Sequence, residues 1–353
     1  MTTKGHAPWW AHMMLYAGGL TMVVAGGAAA AAQYASYTAD HAIENEYIID
    51  EEHQAEVDDV ENLTGPLDIL VLGVDEQGGS KRSDTMIMVH INEDLTEASM
   101  ISLPRDLYVD IPDCGPGWGD DPCTTKLNHA ASISDDWDET RSNVVETIYD
   151  LTGVKFHMGA TANFEGFIDM VDVVGEVEIC SWKTFESHHT DRVFEEGCHS
   201  YDKDAALDMV RQRYQFYDQI DYDKGLYGDY ARQNFQQQAI RSLLVEAKDQ
   251  GFLTDPTKIT ELLEGFGDKV TVHLPDGLSM TDLVVNLRDI DPGSITSIRV
   301  PASSDYDPDG NAIEMIHPGT EEETDAASLW QAVQDDTLDE WAAENPEWIS
   351  SDA

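Results

Sequence analysis

Acids and arginines recur at short intervals through residues 67–112, LDILVLGVDEQGGSKRSDTMIMVHINEDLTEASMISLPRDLYVDIP: Asp75, then Arg82 and Asp84, then Arg105 and Asp106. Carboxylate oxygens are what hard divalent cations bind, and arginine forks match phosphate. A metal ion with a phosphorylated ligand is the chemistry such a set would serve. To act together these residues must meet, and the apolar runs between them supply the means. Ile69–Leu72, Thr85–Ile91 and Ser99–Leu103 read as strands. The first has no polar break, as a strand buried on both faces would have. With the second antiparallel to the other two, its start lies beside their ends and the charges converge on one sheet edge. The alternative is three strands closed by ordinary solvated loop charges.

A second group of candidates follows further along. Lys126 and Asn128 lie in TKLNHAAS, Arg211 and Arg213 in AALDMVRQRY, and Arg232 and Gln236 in GDYARQNFQQQAIRSLLVEA. Arg211 and Arg213 face the same way on a strand or extended turn and diverge on a helix. Arg232 and Gln236, four apart, stack on one face near a helix start, and a helix N-terminus beside an arginine is a cradle for an anion. Phe235, Ala239, Leu243 and Leu244 give that helix its inward face. Two more amphipathic helices read from Val144, Val145, Ile148 and Leu151, stopped by Gly153, and from Phe164, Phe167, Ile168 and Val171, ended near Gly175 before a strand Val177–Ile179.

These motifs resemble those of the LytR-CpsA-Psr family, membrane-anchored enzymes that attach glycopolymers to bacterial cell walls. GVDEQGGSKRSDTMIMVHIN and SLPRDLYVDIP are similar to its opening blocks, TKLNHAAS to its K-I-N-A-A segment, and NFEGFIDMVDVVGEVEI to the block after that. VRQR and RQNFQQ resemble its V-R-x-R and R-Q-x-x-Q-Q blocks, with one departure: Phe235 stands where a second arginine is common. The resemblance covers roughly Leu67 to Asp336. It implies an α/β fold, a central mixed sheet flanked by helices, with a pocket for a polyprenyl chain between apolar helices and the sheet. It implies a glycopolymer carried on polyprenyl pyrophosphate and passed to a sugar hydroxyl of peptidoglycan, releasing polyprenyl phosphate. Asp75 and Asp84 would hold Mg²⁺ or Mn²⁺, and Arg82, Arg105, Lys126, Arg211, Arg213, Arg232 and Gln236 would bind the pyrophosphate. Asp75, Arg82, Arg105 and Asp106 are the catalytic candidates, with Asp75 or Asp106 as the base. Two other classes stay open: a hydrolase using water at the same site, and a non-catalytic envelope regulator or binding protein.

Around this domain the chain reads as five parts: residues 1–10 cytoplasmic, 11–34 transmembrane, 35–65 an acidic extracytoplasmic stalk, 66–338 the catalytic domain and 339–353 an acidic tail. From Ala11 to Ala32 there is no Asp, Glu, Lys or Arg, long enough for a membrane-crossing helix. Trp9 and Trp10 at one end and Tyr34 and Tyr37 at the other suit the interfaces. A cleaved signal peptide is the rival, but its apolar core is shorter. The catalytic domain is then expected outside the cell. There, Cys114, Cys123, Cys180 and Cys198 are expected to form local bridges 114–123 and 180–198; a metal site is the alternative, though no C-x-x-C pair occurs.

The 353 residues carry 69 Asp+Glu against 20 Lys+Arg, a formal charge of −49. Such a chain repels nucleic acid and anionic lipid surfaces. With 41% hydrophobic residues it can still build a core, so the charge reads as a carboxylated surface of the kind a salt-rich habitat favours, where counter-ions screen the self-repulsion.

Overall fold

The computed structural model describes residues 44–45, 47–57, 59–60, 62–77, 80–117, 122–134, 136–252, 255, 258–259 and 269–350. The side chains at 44–45, 75–77 and 80–82 lie outside that description. A seven-stranded mixed sheet forms the centre. Its strands are β1 (Glu44–Asn45), β2 (Leu67–Gln77), β3 (Ser80–Ile91), β4 (Ala98–Leu103), β7 (Met158–Asn163), β12 (Val270–His273) and β13 (Thr296–Arg299), in the order β1-β12-β7-β2-β3-β4-β13. β3 runs antiparallel to both β2 and β4, while β7 runs parallel to β2 and β13 parallel to β4. The ends of β2, β4 and β7 and the start of β3 therefore share one edge, as the sequence leads one to expect.

Side chains alternate across a strand, and here both sets meet helices. Leu70, Leu72, Met86, Met88, Ile101 and Leu103 pack into the larger core cluster with α1 (Trp137–Thr152) and a short 3₁₀ segment, Leu127–Ser132. Opposite them, Val71, Ile87, Val89 and Met100 face Ile240 and Leu244 of the long α5 (Asp229–Asp249). Helix ends are fixed by the chain itself. Asp136 caps α1 at its start, and Gly153, at φ 67°, ends it in the left-handed conformation that glycine adopts without strain. Asn163, the last residue of β7, caps α2 (Phe164–Val174). The remaining short elements are α3 (Lys203–Met209), α4 (Gln219–Asp223), α6 (Met280–Leu287), α7 (Glu321–Gln334) and α8 (Leu338–Glu344). Small hairpins are β5 (Tyr108–Ile111) with β6 (Cys123–Lys126), β8 (Val177–Ser181) with β11 (Gly197–Tyr201), β9 (Phe185–Glu186) with β10 (Val193–Phe194), and β14 (Ser303–Tyr306) with β15 (Ala312–Met315).

Both expected bridges are formed, Cys114–Cys123 and Cys180–Cys198. Sulfurs bonded to one another are not thiolate ligands, so the metal-site alternative for the cysteines falls.

The boundaries differ from those expected. The stretch 35–65 does not stand off as a stalk over its described part. Ile48 and Ile49 are 1% and 0% exposed in the main core, Ile49 N donates to His273 Nδ1 at 2.9 Å, and β1 pairs with β12. Nor is 339–353 a free tail over its described residues. Trp341 is buried, Trp348 Nε1 donates to Asp325 Oδ2 at 2.9 Å, and Ser350 N donates to Ser297 O at 2.8 Å. The tail covers β13, whose outer edge would otherwise present unpaired backbone groups. The candidate span 11–34 lies outside the described residues; among those described, no helix is long and apolar enough to cross a membrane.

Candidate active site

The site begins with an irregularity in the β2–β3 pairing. Gly73 pairs with Thr85, but Val74 pairs with Ser83, so Asp84 is left over as a β-bulge. Bulges re-aim side chains beside active sites, and here the bulge turns out Asp84. Ser83, fully buried, secures it by donating from Oγ to Gly73 O at 3.3 Å and Thr85 O at 3.1 Å. A Cβ on Gly73 would come 2.8 Å from the Thr85 Cβ, so only glycine fits opposite.

From Asp84 an alternating chain of charges runs across the sheet edge. Arg105, just past β4, donates from Nη1 to Asp84 Oδ1 at 2.7 Å. Its Nε lies 3.4 Å from Asp106 Oδ2, and Asp106 Oδ1 accepts from Lys126 Nζ at 2.8 Å at the end of β6. The start of α5 closes the cluster. Asp229 Oδ1 is 2.7 Å from Arg232 Nη2, 3.9 Å from Arg105 Nε and 4.0 Å from Arg213 Nη1. Arg232 also donates to Asp84 O at 3.0 Å, and Gln236 Nε2 to Thr85 Oγ1 at 3.0 Å. Buried within the cluster, the Nε–H groups of Arg105 and Arg232 and the Oδ1 of Asp229 make no hydrogen bond, although Arg105 Nε lies 3.4 Å from Asp106 Oδ2 and 3.9 Å from Asp229 Oδ1. Buried polar groups are normally paired, so the cluster has hydrogen-bonding capacity left over.

The charges tune one another. Burial opposes ionisation of Asp106, but Lys126 and Arg105 outweigh it and hold its pKa below the usual carboxylate value. Burial likewise opposes the charge on Arg105, yet Asp84, Asp229 and Asp106 raise its pKa. Arg232 is depressed by burial, with Asp229 only partly compensating. Behind the cluster, burial pushes Glu314 up to about 7 despite hydrogen bonds from Ser304 and Tyr230. Tyr230 follows Asp229 in α5 and donates to Glu314 Oε2 at 2.9 Å, while Glu314 N donates to Asp106 O at 2.9 Å.

Of the expected residues, the fold thus brings together Asp84, Arg105, Asp106, Lys126, Arg213, Arg232 and Gln236. Arg211 does not join them. α3 ends at Met209 and passes into a tight turn, Gln212 points into the protein at 0% exposure, and the Arg211 guanidinium stacks over Phe164 at 5.0 Å. That position is on the rim, because Phe164 follows Asn163, the partner of Val74. Asp75 and Arg82 are paired directly across the hairpin just beyond the bulge, though their side chains lie outside the described residues. Phe235 explains its own departure from the common arginine: it is fully buried and stacks on Trp182 at 5.3 Å. Two contributors were missed, Asp229 and Glu314. The spacing Asp229–Arg232, three apart on a helix, was an available signal; nothing in the sequence ties Glu314 to Asp106.

On the helix-facing side of the central strands, among the described residues, Val71 and Val89 pack with Ile240 and Leu244, and Ile69, Ala160 and Ala162 pack in a neighbouring cluster; all seven are partly buried.

Comparison with known proteins gives this arrangement its relatives. Residues 31–331 match the family model described as the LytR_cpsA_psr family. A polyisoprenyl-teichoic acid–peptidoglycan teichoic acid transferase TagU of Oceanobacillus iheyensis is 31% identical over 227 residues, 64% of each chain. A probable cell wall biosynthesis protein LcpB of Corynebacterium glutamicum is 28% identical over 68% of this chain and 52% of its own. The chain thus spans between half and two thirds of these relatives' lengths. The fold matches the crystal structure of B. subtilis TagV with a TM-score of 0.60 at 22% identity, covering 79% of this chain and 99% of that one. It also matches TagT bound to LI-WTA, with a TM-score of 0.53 at 21% identity, over 77% and 90% of the two chains. On the match across residues 31–331, the chain belongs to the LytR-CpsA-Psr family.

Proposed function

We propose that the protein is a phosphotransferase that moves a glycopolymer from a polyprenyl-pyrophosphate carrier to a sugar hydroxyl of peptidoglycan. The observation that carries this reading is the grouping of Arg105, Lys126, Arg213 and Arg232 around Asp84, Asp106 and Asp229, at the end of a sheet whose helix-facing side is apolar and partly buried. A pyrophosphate would sit in the cluster and its prenyl chain along that side. The names of the curated relatives, transferases of teichoic acid to peptidoglycan, support the same reading.

In this mechanism the acceptor oxygen attacks the phosphorus that bears the glycan. The bond from that phosphorus to the bridging oxygen breaks, and polyprenyl phosphate leaves with the electron pair. Arg105, Arg213, Arg232 and Lys126 neutralise the charge that builds on the leaving phosphate. The acceptor proton goes to a carboxylate. Asp75 and Asp106 are the two candidates; Lys126 and Arg105 stabilise the ionised form of Asp106 and weaken it as a base, and Asp75 could serve only while it is not bound to the metal. The donor set also suits Mg²⁺ or Mn²⁺. Asp84 spends Oδ1 on Arg105, its other oxygen carries no hydrogen bond among the described residues, and Asp75 lies near it across the hairpin. Bound by Asp84 and Asp75, the ion would neutralise pyrophosphate charge. An amino-terminal anchor at 11–34, with the domain outside the membrane, fits this role, and two disulfides suit that compartment.

The test is transfer from a lipid-pyrophosphate donor to peptidoglycan, with and without Mg²⁺. The expected product is a phosphodiester-linked wall sugar, lost on chelation. Arg105→Lys, which keeps the charge and loses the fork, should cut the rate at least tenfold. Released phosphorylated glycan without wall product would replace transfer by hydrolysis, and metal-independent absence of any turnover would leave a binding protein.

A further inference from the structure

Between two site residues, Arg213 and Asp229, lies a segment that the chemistry above does not use. Four of the eight large exposed hydrophobic side chains among the described residues fall in nine positions of it: Tyr214 (51%), Tyr217 (57%), Ile220 (44%) and Tyr222 (49%). The segment is anchored rather than loose. Phe216 is fully buried against Trp182 and Phe235, and Asp221, also fully buried, accepts from Trp182 Nε1 and Lys183 Nζ, each at 2.7 Å. Gly228 N donates to Phe216 O at 2.7 Å and returns the chain to α5. With its inward residues fixed, the tyrosines are held outward.

Their placement connects them to the site. Tyr214 Oη accepts from Arg213 Nη2, whose guanidinium also lies over the ring at 4.6 Å, and His188 packs against the ring at 4.5 Å, so the free faces are those of Tyr217 and Tyr222. The Tyr217 hydroxyl lies over Gly228, where a Cβ would come within 2.8 Å of it, next to Asp229 at the start of α5. Tyr222 stacks on Tyr227 with ring centroids 4.7 Å apart, and Tyr227 packs edge-on against Tyr230. Exposed aromatic side chains, Tyr217 and Tyr222 among them, therefore form a strip on the surface next to the phosphate cluster.

We propose that this strip is a saccharide subsite, in which pyranose rings stack on the outward tyrosine faces. Rigid aromatic rings with polar tips supply large contact area at little entropic cost. The apolar C–H face of a sugar ring matches them, and its hydroxyls match the tyrosine hydroxyls. The exposed carboxylate of Asp223 on the same segment disfavours phosphate, while Asp218 is paired with Lys183 at 3.0 Å, so the strip suits the uncharged sugar portion of a ligand. Its place in a reaction rests on the transfer reading; its binding chemistry does not.

The test uses the full-length protein and an uncharged N-acetylglucosamine oligosaccharide as probe, followed by calorimetry, with inorganic pyrophosphate binding as a second readout. The double variant Tyr217→Ala, Tyr222→Ala should weaken oligosaccharide binding at least tenfold and leave pyrophosphate binding unchanged. The double phenylalanine variant should retain most of it, since the rings remain. Failure of the wild type to bind the probe, or equal binding by the alanine variant, overturns the subsite. In the transfer assay, a rise in KM for peptidoglycan alone assigns the strip to the acceptor, and a rise for the donor alone assigns it to the carried glycan. A change in neither overturns it. Saccharide binding by a protein that transfers nothing would sink the transfer reading and keep the subsite.

Discussion

Asp229 is the carboxylate that lies within 4.0 Å of three arginines. Its carboxylate is 2.7 Å from Arg232 and about as far from Arg105 as from Arg213, 3.9 and 4.0 Å. Without its charge these arginines face one another across a poorly solvated space, where like charges are costly. Asp229→Asn keeps the shape and removes the charge. Turnover is expected to fall at least tenfold, and stability by about 3–5 kcal/mol, the usual cost of breaking a buried pair from one side. Wild-type turnover in this variant would reduce Asp229 to a helix-start residue. That is also how it reads in the sequence, since an acid in a first helical turn is ordinarily a dipole partner. Arg105, Lys126, Arg213 and Arg232 were legible because their spacing repeats a known set of motifs. Arg211 belonged to the same motif yet stacks on Phe164, because a motif fixes residue types and not which way a turn aims them.

At the scale of elements, the strands and major helices follow from apolar runs and periodicity, but what aims Asp84 does not. A bulge is one residue of register, and the pattern of β3 is equally consistent with its absence. Gly73→Ala tests it: the added methyl meets the Thr85 Cβ at 2.8 Å, and overpacking of this kind costs about 1–3 kcal/mol. Loss of activity out of proportion to the fall in Tm would show that the bulge aims the site, and an unchanged Tm would show that it has room. The boundary residues were illegible for a related reason. Ile48, Ile49 and the two carboxy-terminal tryptophans are too sparse to show a period, although each packs on the domain. The far end of the sheet carries another tie. His90 on β3 bonds Asp68 on β2 at 2.9 Å and Asp336, just beyond α7, at 3.0 Å. Burial lowers the His90 pKa, but the two carboxylates together raise it above its ordinary 6.5. A raised folded-state pKa gives stability that is full below 6.5 and lost as pH rises through the raised value. His157, lowered chiefly by burial, acts in the opposite sense below 6.5. The comparison therefore belongs above that pH. The Tm deficit of His90→Gln relative to wild type should shrink as pH climbs from 6.5 toward 9, and a constant deficit would mean that the pair is not charged.

For the whole molecule the governing quantity is its formal charge of −49. The four cations of the site, interleaved with Asp84, Asp106 and Asp229, lie within that field, and an anionic lipid pyrophosphate must approach through it. Two effects of salt then oppose each other. The contacts of Arg105 and Arg232 with Asp84 and Asp229, at 2.7 Å and largely buried, are screened little. The repulsion from the acidic surface acts over longer distances. At about 0.1 M salt the Debye length is about 10 Å, and at 1 M it is about 3 Å, so added salt removes the long-range term first. For most phosphate-binding sites salt weakens binding, because the attractive field is what it screens. Here the sign should invert: KM for the lipid-pyrophosphate donor is expected to fall severalfold between 0.1 and 1 M NaCl, and Tm to rise over the same range as self-repulsion is relieved. Sucrose at matched osmolality separates screening from general solute exclusion and should reproduce neither change in full. A rise in KM with salt would show that the local arginines dominate even the approach of the substrate, and that the carboxylated surface serves solubility and not a salt-rich working environment.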